Sequence, residues 1–319
     1  MFFSHLPEAL SPLFGRIDCT LTDITAPEVT LRILDGEGAL LGSKHFVGQS
    51  EVSFDIAPYL RSTLRCNLTP STTSLVSSER MVSCSLEAVT EAETLISERL
   101  TFIPASVVAT DRLLTTLPTE RILDLRGVDH LTIRADAPFN IQVAGYIRGE
   151  EVITQRFSVS EAGLYDLTIN AADFDRVDEL ALLFGGRMVA DYVVRERSPR
   201  AVTLAWLSSA GSIEHYTFPR RVSLESEVER IEGYGTEGYE TACIALQESL
   251  TLDTAPEPKE VIAALSELLF SPCVWQLTAE GYQPRRVVTK RLSYCDCGSL
   301  ATLRVTVAAN KMEERLWSC

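Results

Sequence analysis

The sequence predicts a mainly β protein, with two tandem antiparallel β-sandwich domains followed by an α+β domain that has one main helix. Three observations predict this class. Short runs alternate apolar and polar residues from 16 to about 102 and again from 121 to 195, turn residues separate these runs, and one helical pattern occurs near the C-terminus. A chain of 319 residues that is 45% hydrophobic is too long for one usual core. We therefore expect three domains, at 1–102, 103–197 and 198–319.

The first domain shows the period-two alternation of strands that bury one face. Predicted strands lie at 29–34, 39–46, 52–56, 81–87 and 94–101, with a tight turn at 35–38. The segment 69–80 is rich in Ser and Thr, and we expect it to be a loop.

The second domain repeats this organisation. Its predicted strands lie at 121–125, 130–134, 140–147, 152–159, 165–169, 180–184 and 188–195. Residues 29–60 and 140–174 share one order: strand, glycine turn, strand, loop, an aromatic-Asp strand and a short polar turn. Sequence identity between them is low, so this is a repeat of pattern. Several short strands spaced by turns close most simply as two packed sheets, which predicts a β-sandwich in each domain.

The third domain combines strands with one helix. Predicted strands lie at 202–207, 214–218, near 242–246, 273–278, 285–292 and 300–308, and an acidic connector is expected at 225–232. The helix is predicted at 258–270, where Val261, Ile262, Leu265, Leu268 and Leu269 share one face. Pro258 suits a first helical turn, and Ser271-Pro272 ends the helix.

Charge excludes two classes of partner. The formal charge of -15, from 44 acidic and 29 basic residues, repels phosphate backbones and anionic lipid headgroups. We therefore expect neither nucleic acid nor membrane as a partner. Pro7 and Pro12 interrupt the apolar N-terminal stretch, which also lacks basic residues, so no secretory signal is predicted, although a leader lost before residue 1 stays an alternative.

Cysteine usage indicates a reducing compartment. Most of the eight cysteines stand alone in strand-like segments, where a free thiol behaves as a small apolar side chain. The exception is the pair Cys295 and Cys297, which has no second pair and no nearby histidine. A turn at a strand end is favoured there over a zinc site. Together with the absence of a membrane-length apolar run, this predicts a soluble protein made in the cytoplasm.

Two further motifs resemble ligand sites by pattern. Gly233 to Gly238 matches G-x-G-x-x-G, but the preceding run is acidic and opposes an anion, so a flexible loop is expected. Asp173, Asp175, Asp178 and Glu179 form an acidic group without EF-hand spacing, and a turn of helix is favoured over calcium. We therefore nominate no metal and no cofactor.

No catalytic residue is nominated either. The four histidines, His5, His45, His130 and His215, are scattered, and each lies in or beside a predicted strand. No nucleophile elbow or zinc-protease motif occurs. We expect a protein that is not an enzyme, although a hydrolase site assembled from distant residues stays an alternative.

The segment 205–218 carries the candidate interaction residues, Trp206, Tyr216 and Phe218. Tyr216 and Phe218 share one face of a strand, and Trp206 on the partner strand can cover them. A core hairpin is favoured, with a carbohydrate-stacking platform as the sharper alternative.

This hairpin also carries a resemblance. Its Trp206-Leu207, Gly211, Glu214, Tyr216 and Phe218 resemble a recurrent segment, W-L-N-x-x-G-G-x-D-x-Y-x-F, of structural proteins encoded by phages and prophages of Bacteroidales gut bacteria. The helix end at 268–272, the Gly281-Tyr282 turn and the strand at 300–308 are similar to the end region of those proteins. The resemblance is strongest over 202–319, with Ser208 where Asn is usual and Glu214 where Asp is usual.

The resemblance implies a tail- or baseplate-associated building block without catalytic residues. Its partners would be other protein subunits, including further copies of itself, and its location would be the virion after synthesis in the cytoplasm. The alternative is a carbohydrate-binding surface or periplasmic protein of a gut bacterium.

Overall fold

The computed structural model is multidomain and has three large hydrophobic cores, which lie mainly in the three predicted ranges and give the first, second and third domains their names. It describes residues 1–69, 72–107, 111–196, 198–235, 238–291, 298–310 and 313–315. The mainly β class with one main helix is confirmed. Side chains along the strands alternate between the hydrophobic core and the outer face of each sandwich, as in Val82–Val89, where every second side chain is buried.

The first sandwich pairs a three-stranded sheet, in the order β1-β3-β6, with a sheet in the order β2-β10-β8-β4-β5, to which β9 adds on β8. The elements of residues 1–103 are β1 (Phe2–His5), β2 (Ser11–Pro12), β3 (Asp18–Thr22), β4 (Glu28–Asp35), β5 (Leu40–Val47), β6 (Val52–Asp55), α1 (Ala57–Arg61), β7 (Ser74–Ser77), β8 (Val82–Val89), β9 (Thr94–Ile96) and β10 (Leu100–Ile103). Strand β7 lies in this range of the sequence but belongs to a sheet of the second sandwich.

The second sandwich pairs sheets in the orders β11-β13-β16-β7 and β12-β18-β17-β14-β15. Its own elements are β11 (Leu113–Leu114), β12 (Glu120–Asp124), β13 (Val128–Ala135), β14 (Phe139–Ile147), β15 (Glu150–Val159), β16 (Gly163–Asn170), a 3-10 turn (Ala171–Phe174), β17 (Glu179–Phe184) and β18 (Arg187–Arg195).

The two sandwiches have the same strand order. Strands β1 to β6, β8 and β10 of the first occupy the places of β11 to β18 of the second. Both also contain one parallel pair, β2 with β10 and β12 with β18, within otherwise antiparallel sheets. The pattern repeat at 29–60 and 140–174 is confirmed, because each segment forms a hairpin, a strand and a short helical turn.

Two predictions about the first domain are wrong. The expected loop at 69–80 contains β7, which pairs with β16 and so adds a strand from the range 1–102 to the second sandwich. The expected strand at 94–101 is two strands, β9 and β10, because regular pairing with β8 is interrupted between them, although Ser97 still donates its backbone N–H to Leu86 at 2.8 Å. A four-residue edge strand of Ser, Leu and Val carries too short an alternation to be distinguished from a polar loop.

The third domain is built on an eight-stranded antiparallel sheet. Its order is β20-β19-β24-β25-β27-β22-β21, with β28 on β22, and β23 and β26 form a separate pair. The elements are β19 (Val202–Leu207), β20 (Ile213–Phe218), β21 (Arg220–Gly235), β22 (Gly238–Asp253), β23 (Glu257–Pro258), α2 (Lys259–Ser266), a 3-10 turn (Glu267–Leu269), β24 (Val274–Thr278), β25 (Gly281–Val287), β26 (Leu300–Ala301), β27 (Arg304–Ala309) and β28 (Glu313–Arg315).

Helix α2 covers one face of this sheet, as its apolar side predicts. Ile262, Leu265 and Leu268 are fully buried in one cluster with Trp206 and Val305. The opposite face packs on the first domain, because Leu207 and Trp275 cluster there with Phe14 and Leu64.

The acidic connector expected at 225–232 is wrong, because these residues lie within β21 and pair along β22. Val222, Leu224 and Val228 do alternate with polar residues, as in a strand, but the glutamates between them gave this segment the composition of a charged connector.

Arg80 joins the three domains. Its side chain is only 7% exposed and contacts Asp166 and Thr132 of the second sandwich. Its Nη1 donates to the carbonyl of Gly211, in the β19–β20 turn, at 3.0 Å. The same turn accepts a hydrogen bond from the Ser106 backbone nitrogen at 2.8 Å. The turn is therefore anchored to residues of both preceding domains.

Candidate functional site

A buried ionic cluster lies where the second sandwich meets the third domain. Arg121 of β12 contacts Asp129 of β13 at 2.9 Å and Glu214 of β20 at 3.1 Å. All three side chains are at most 8% exposed. A buried charge is tolerated only when it is paired and hydrogen-bonded. This cluster therefore stabilises the contact between the two domains only if all three side chains are present.

Neutral groups complete the hydrogen bonding of both carboxylates. Tyr192 donates its hydroxyl to Asp129 at 2.9 Å. Glu214 accepts from the Thr115 hydroxyl at 2.6 Å and from the Thr116 backbone nitrogen at 3.0 Å. Each acid therefore has a hydrogen-bond donor in addition to Arg121.

Burial and charge act on the pKa values of this cluster in opposite directions. Burial opposes the charged form of Arg121, but Asp129 and Glu214 outweigh it and raise the pKa of the guanidinium. Burial would raise the pKa of Asp129, yet Arg121 holds it well below its ordinary value. For Glu214 burial prevails and its pKa is raised. Arg121 and Asp129 therefore form the charged pair at the centre of the cluster.

Two histidines that are distant in sequence stack beside this cluster. The rings of His130 and His215 lie 5.0 Å apart at an interplanar angle of 19°. The Tyr282 hydroxyl lies 2.9 Å from Nε2 of His215 and 3.3 Å from Nδ1 of His130. Nδ1 of His215 lies 3.3 Å from Asp129 but lacks hydrogen-bond geometry. Sequence reasoning missed this grouping, because strand positions alone do not show which strands meet across a domain junction.

The pKa values of two members of this group bear on its chemistry. Burial, and then the neighbouring His215 ring, lower the pKa of His130 to about 3, so it stays neutral near pH 7. Burial, and then Asp129, raise the pKa of the Tyr282 hydroxyl. General acid–base catalysis is most efficient when the pKa of the catalytic group lies near the working pH. The pKa of His130 is too low and that of Tyr282 too high for this role at neutral pH.

A cavity of about 550 Å³ opens beside the ionic cluster, between β12 and β20. Asp129, Tyr192 and His215 line part of it. The remaining lining comes from β12, from the end of β18 and from the segment around β23 and the start of α2. This volume is within the range of small-ligand pockets.

The predicted interaction residues do not form one surface. Trp206 and Phe218 are fully buried in the core of the third domain, which is the core hairpin that the sequence favoured, so neither ring is exposed to a partner. Tyr216 lies edge-on to Phe218 at 5.0 Å and donates its hydroxyl to Glu257 at 2.7 Å. It also lines the cavity, so it stays a candidate contact residue.

A long β-hairpin extends from the sheet of the third domain, and we call β21 and β22 together the arm. Only residues 249–253 of β22 pair with β27, while β28 pairs with residues 244–246. Residues 238–248 therefore continue past β27 for roughly 35 Å at about 3.4 Å per residue. Along β21, Leu224 and Val228 are 52% and 50% exposed. Strand β21 is also the end strand of the sheet as described, so its outer backbone groups lack a neighbouring strand.

The glycine-rich match, the cysteine pair and the acidic group are the other motifs that resemble ligand sites. Gly235 of the G-x-G-x-x-G match pairs with Gly238 at the arm's tip, so the motif does not lead into a helix, and its residues 236 and 237 lie outside the described ranges. Cys295 and Cys297 also lie outside them. In the acidic group, Asp173 accepts a hydrogen bond from the Thr73 backbone nitrogen.

Within the described ranges the chain has neither a cluster of metal-ligating side chains nor a helix of membrane-spanning length. No three His, Cys, Asp or Glu side chains there are grouped to hold a metal ion. None of the helices described is long and apolar enough to cross a bilayer. Comparison with known proteins found no matching family model and no similar curated protein.

Proposed function

We propose that this chain is a non-enzymatic structural protein of a phage or prophage, associated with the tail or baseplate, that assembles with other protein subunits through its arm. The observation that carries the proposal is the sixteen-residue strand β21, which has no neighbouring strand on its outer side within the described ranges and lies on a hairpin that continues past β27. Such an edge is a template for a strand of another subunit. The resemblance of residues 202–319 gives the class of assembly.

The ionic cluster supports a structural role for the domain junction. Arg121, Asp129 and Glu214 satisfy one another, and the neighbouring His130 and Tyr282 are not tuned for proton transfer near pH 7. This combination favours rigidity between domains over catalysis. A rigid body that carries a projecting arm suits a protein that positions one subunit against another.

The carbohydrate-binding alternative has less support. It requires exposed aromatic rings on a shared surface. Trp206 and Trp275 are buried, and the well-exposed Tyr234, at 79%, lies at the tip of the arm. In the described part of the chain, these rings do not form a stacking platform.

Incorporation into particles tests the proposal. The double variant Leu224→Lys and Val228→Lys places charge on exposed positions of β21, where it should block strand addition without unfolding the domain. Mass spectrometry of purified particles should detect the wild-type chain and lose the double variant.

The matched control is Leu40→Lys and Val47→Lys. These residues of the first sandwich are 59% and 60% exposed, and the control variant should be incorporated like wild type. Absence of the wild-type chain from particles would contradict the virion location. Equal incorporation of both double variants would contradict a role for the arm.

A further inference from the structure

Two strand edges face the cavity between the second and third domains. Strand β12 ends the five-stranded sheet of the second sandwich, and β20 ends the eight-stranded sheet. Residues 120–124 of β12 and 215–217 of β20 line the cavity without a break. Because successive side chains of a strand point to opposite faces, an unbroken lining means that the cavity runs along each strand's edge, where backbone groups point.

The two edges do not pair with each other in the part of the chain that the structure describes. The register of β12 runs to β18, and that of β20 runs to β19. Side chains bridge them: Arg121 contacts Glu214 at 3.1 Å, and the Thr217 hydroxyl donates to Asp124 at 3.4 Å. The cavity is thus a slot between two sheets, with backbone hydrogen-bonding groups of one strand on each side.

The charge of the slot favours a cationic occupant. Arg121 and Asp129 neutralise each other inside the ionic cluster. Beyond that pair, acidic residues dominate the lining, with Arg195 as the remaining basic residue: Glu120, Asp124, Glu196, Glu257 and Glu260. Ile122, which is 61% exposed, adds an apolar contact on β12.

The geometry points to a peptide-binding slot: an extended segment of a partner protein, with Lys or Arg alternating with apolar residues, enters between β12 and β20 and pairs with their edges. Side chains of such a strand alternate, so cationic groups can meet the acidic rim while apolar groups meet Ile122 and Val261. The five residues of β12 match a segment of about five residues. This site is separate from the arm and does not depend on the proposed phage role.

Labelled synthetic peptides test the slot by fluorescence anisotropy with the full chain. The probe has the sequence Thr-Lys-Val-Lys-Val-Lys-Thr. One comparison peptide replaces each Lys with Glu, and another carries N-methyl groups on alternate residues, which removes backbone donors. The probe should bind at least about tenfold more tightly than either.

Charge reversal on the protein locates the binding. Glu120→Lys with Glu260→Lys changes two exposed rim residues and should weaken probe binding about tenfold or more. Glu91→Lys with Glu98→Lys, on exposed positions of the first sandwich, is the matched control and should leave binding unchanged.

Several results would overturn the inference. Equal binding of the N-methylated peptide, or displacement of the probe by an equivalent charge of spermidine, would show attraction of cations without strand pairing. Failure of the probe to bind at millimolar concentration, or unchanged binding by the rim variant, would show that the slot does not take such a peptide. The arm variants should bind the probe like wild type, which separates this result from the test of the proposed function.

Discussion

Replacing His130 with Asn should remove an acid-sensitive contribution to the free energy of unfolding. The pKa of His130 is about 3 in the folded protein, against an ordinary 6.5. Well above pH 6.5 the ring is neutral in both the folded and the unfolded chain, so it adds no pH dependence to the free energy of unfolding. As the pH falls from 6.5 towards 3, the unfolded chain binds a proton that the folded chain refuses, so stability is lost.

The expected size follows from these two pKa values. At pH 5 proton linkage gives a loss of about 2 kcal/mol relative to neutral pH. His215 and Arg80 disfavour a charge on His130, whereas Asp129 favours it. Burial of the ring contributes more than any of these three charged neighbours, so the net change in the pKa of His130 is downward.

Urea unfolding at pH 7 and pH 5, followed by tryptophan fluorescence, measures this loss. The stability difference between wild type and His130→Asn should change by about 2 kcal/mol between the two pH values. The raised pKa of Glu214 acts in the opposite direction, but it is common to both proteins and cancels. Leu131→Val, a neighbouring buried change on β13, should give the same loss at both pH values. A pH-independent difference for His130→Asn would refute the reasoning.

Two further stability predictions concern the domain junction. Arg121→Met should cost about 3–5 kcal/mol in urea unfolding at pH 7, because it leaves Asp129 and Glu214 buried without their cation. Adding Asp129→Asn and Glu214→Gln should recover part of that loss, and no recovery would contradict a charge-based cause. Gly211→Ala should cost about 1–3 kcal/mol, since φ is +93° and the new Cβ would lie 3.2 Å from Cβ of Ala105. Gly48→Ala, with φ +67° and open space around it, should cost less, so an equal loss would contradict the crowding.

Local patterns predicted most of the fold because most strands here bury one face. The second sandwich is the clearest case: the strand predicted at 140–147 is Phe139–Ile147, and that at 188–195 is Arg187–Arg195. The helix was also predictable, since its apolar face must be buried against the sheet.

The arm was not predicted although a period-two pattern is present in β21. Val222, Leu224 and Val228 lie at alternate positions with Ser and Glu residues between them, but the density of glutamates favoured an acidic connector, and these apolar side chains are exposed. What holds β21 in place is its register with β22. That pairing consists of backbone hydrogen bonds between two strands, which the pattern within one strand does not show.

The site was beyond local reasoning because its members come together only when domains dock. Asp129 and His130 lie on the second sandwich, His215 lies on the third domain's edge strand, and Tyr282 lies two strands further along the sheet from β19. Each is an ordinary strand residue in its own segment. Arg121 is one of many arginines, and the sequence does not show which of them is buried between two acids.

Acidic residues at both candidate interfaces narrow the choice of partner. Glu225 and Glu227 are exposed on β21, and five carboxylates besides Asp129 line the slot beside β12 and β20. Charges along a strand edge oppose indiscriminate pairing, because a second acidic strand is repelled while a basic one is attracted. A chain with a net charge of -15 therefore favours a basic partner subunit over a further copy of itself at these edges.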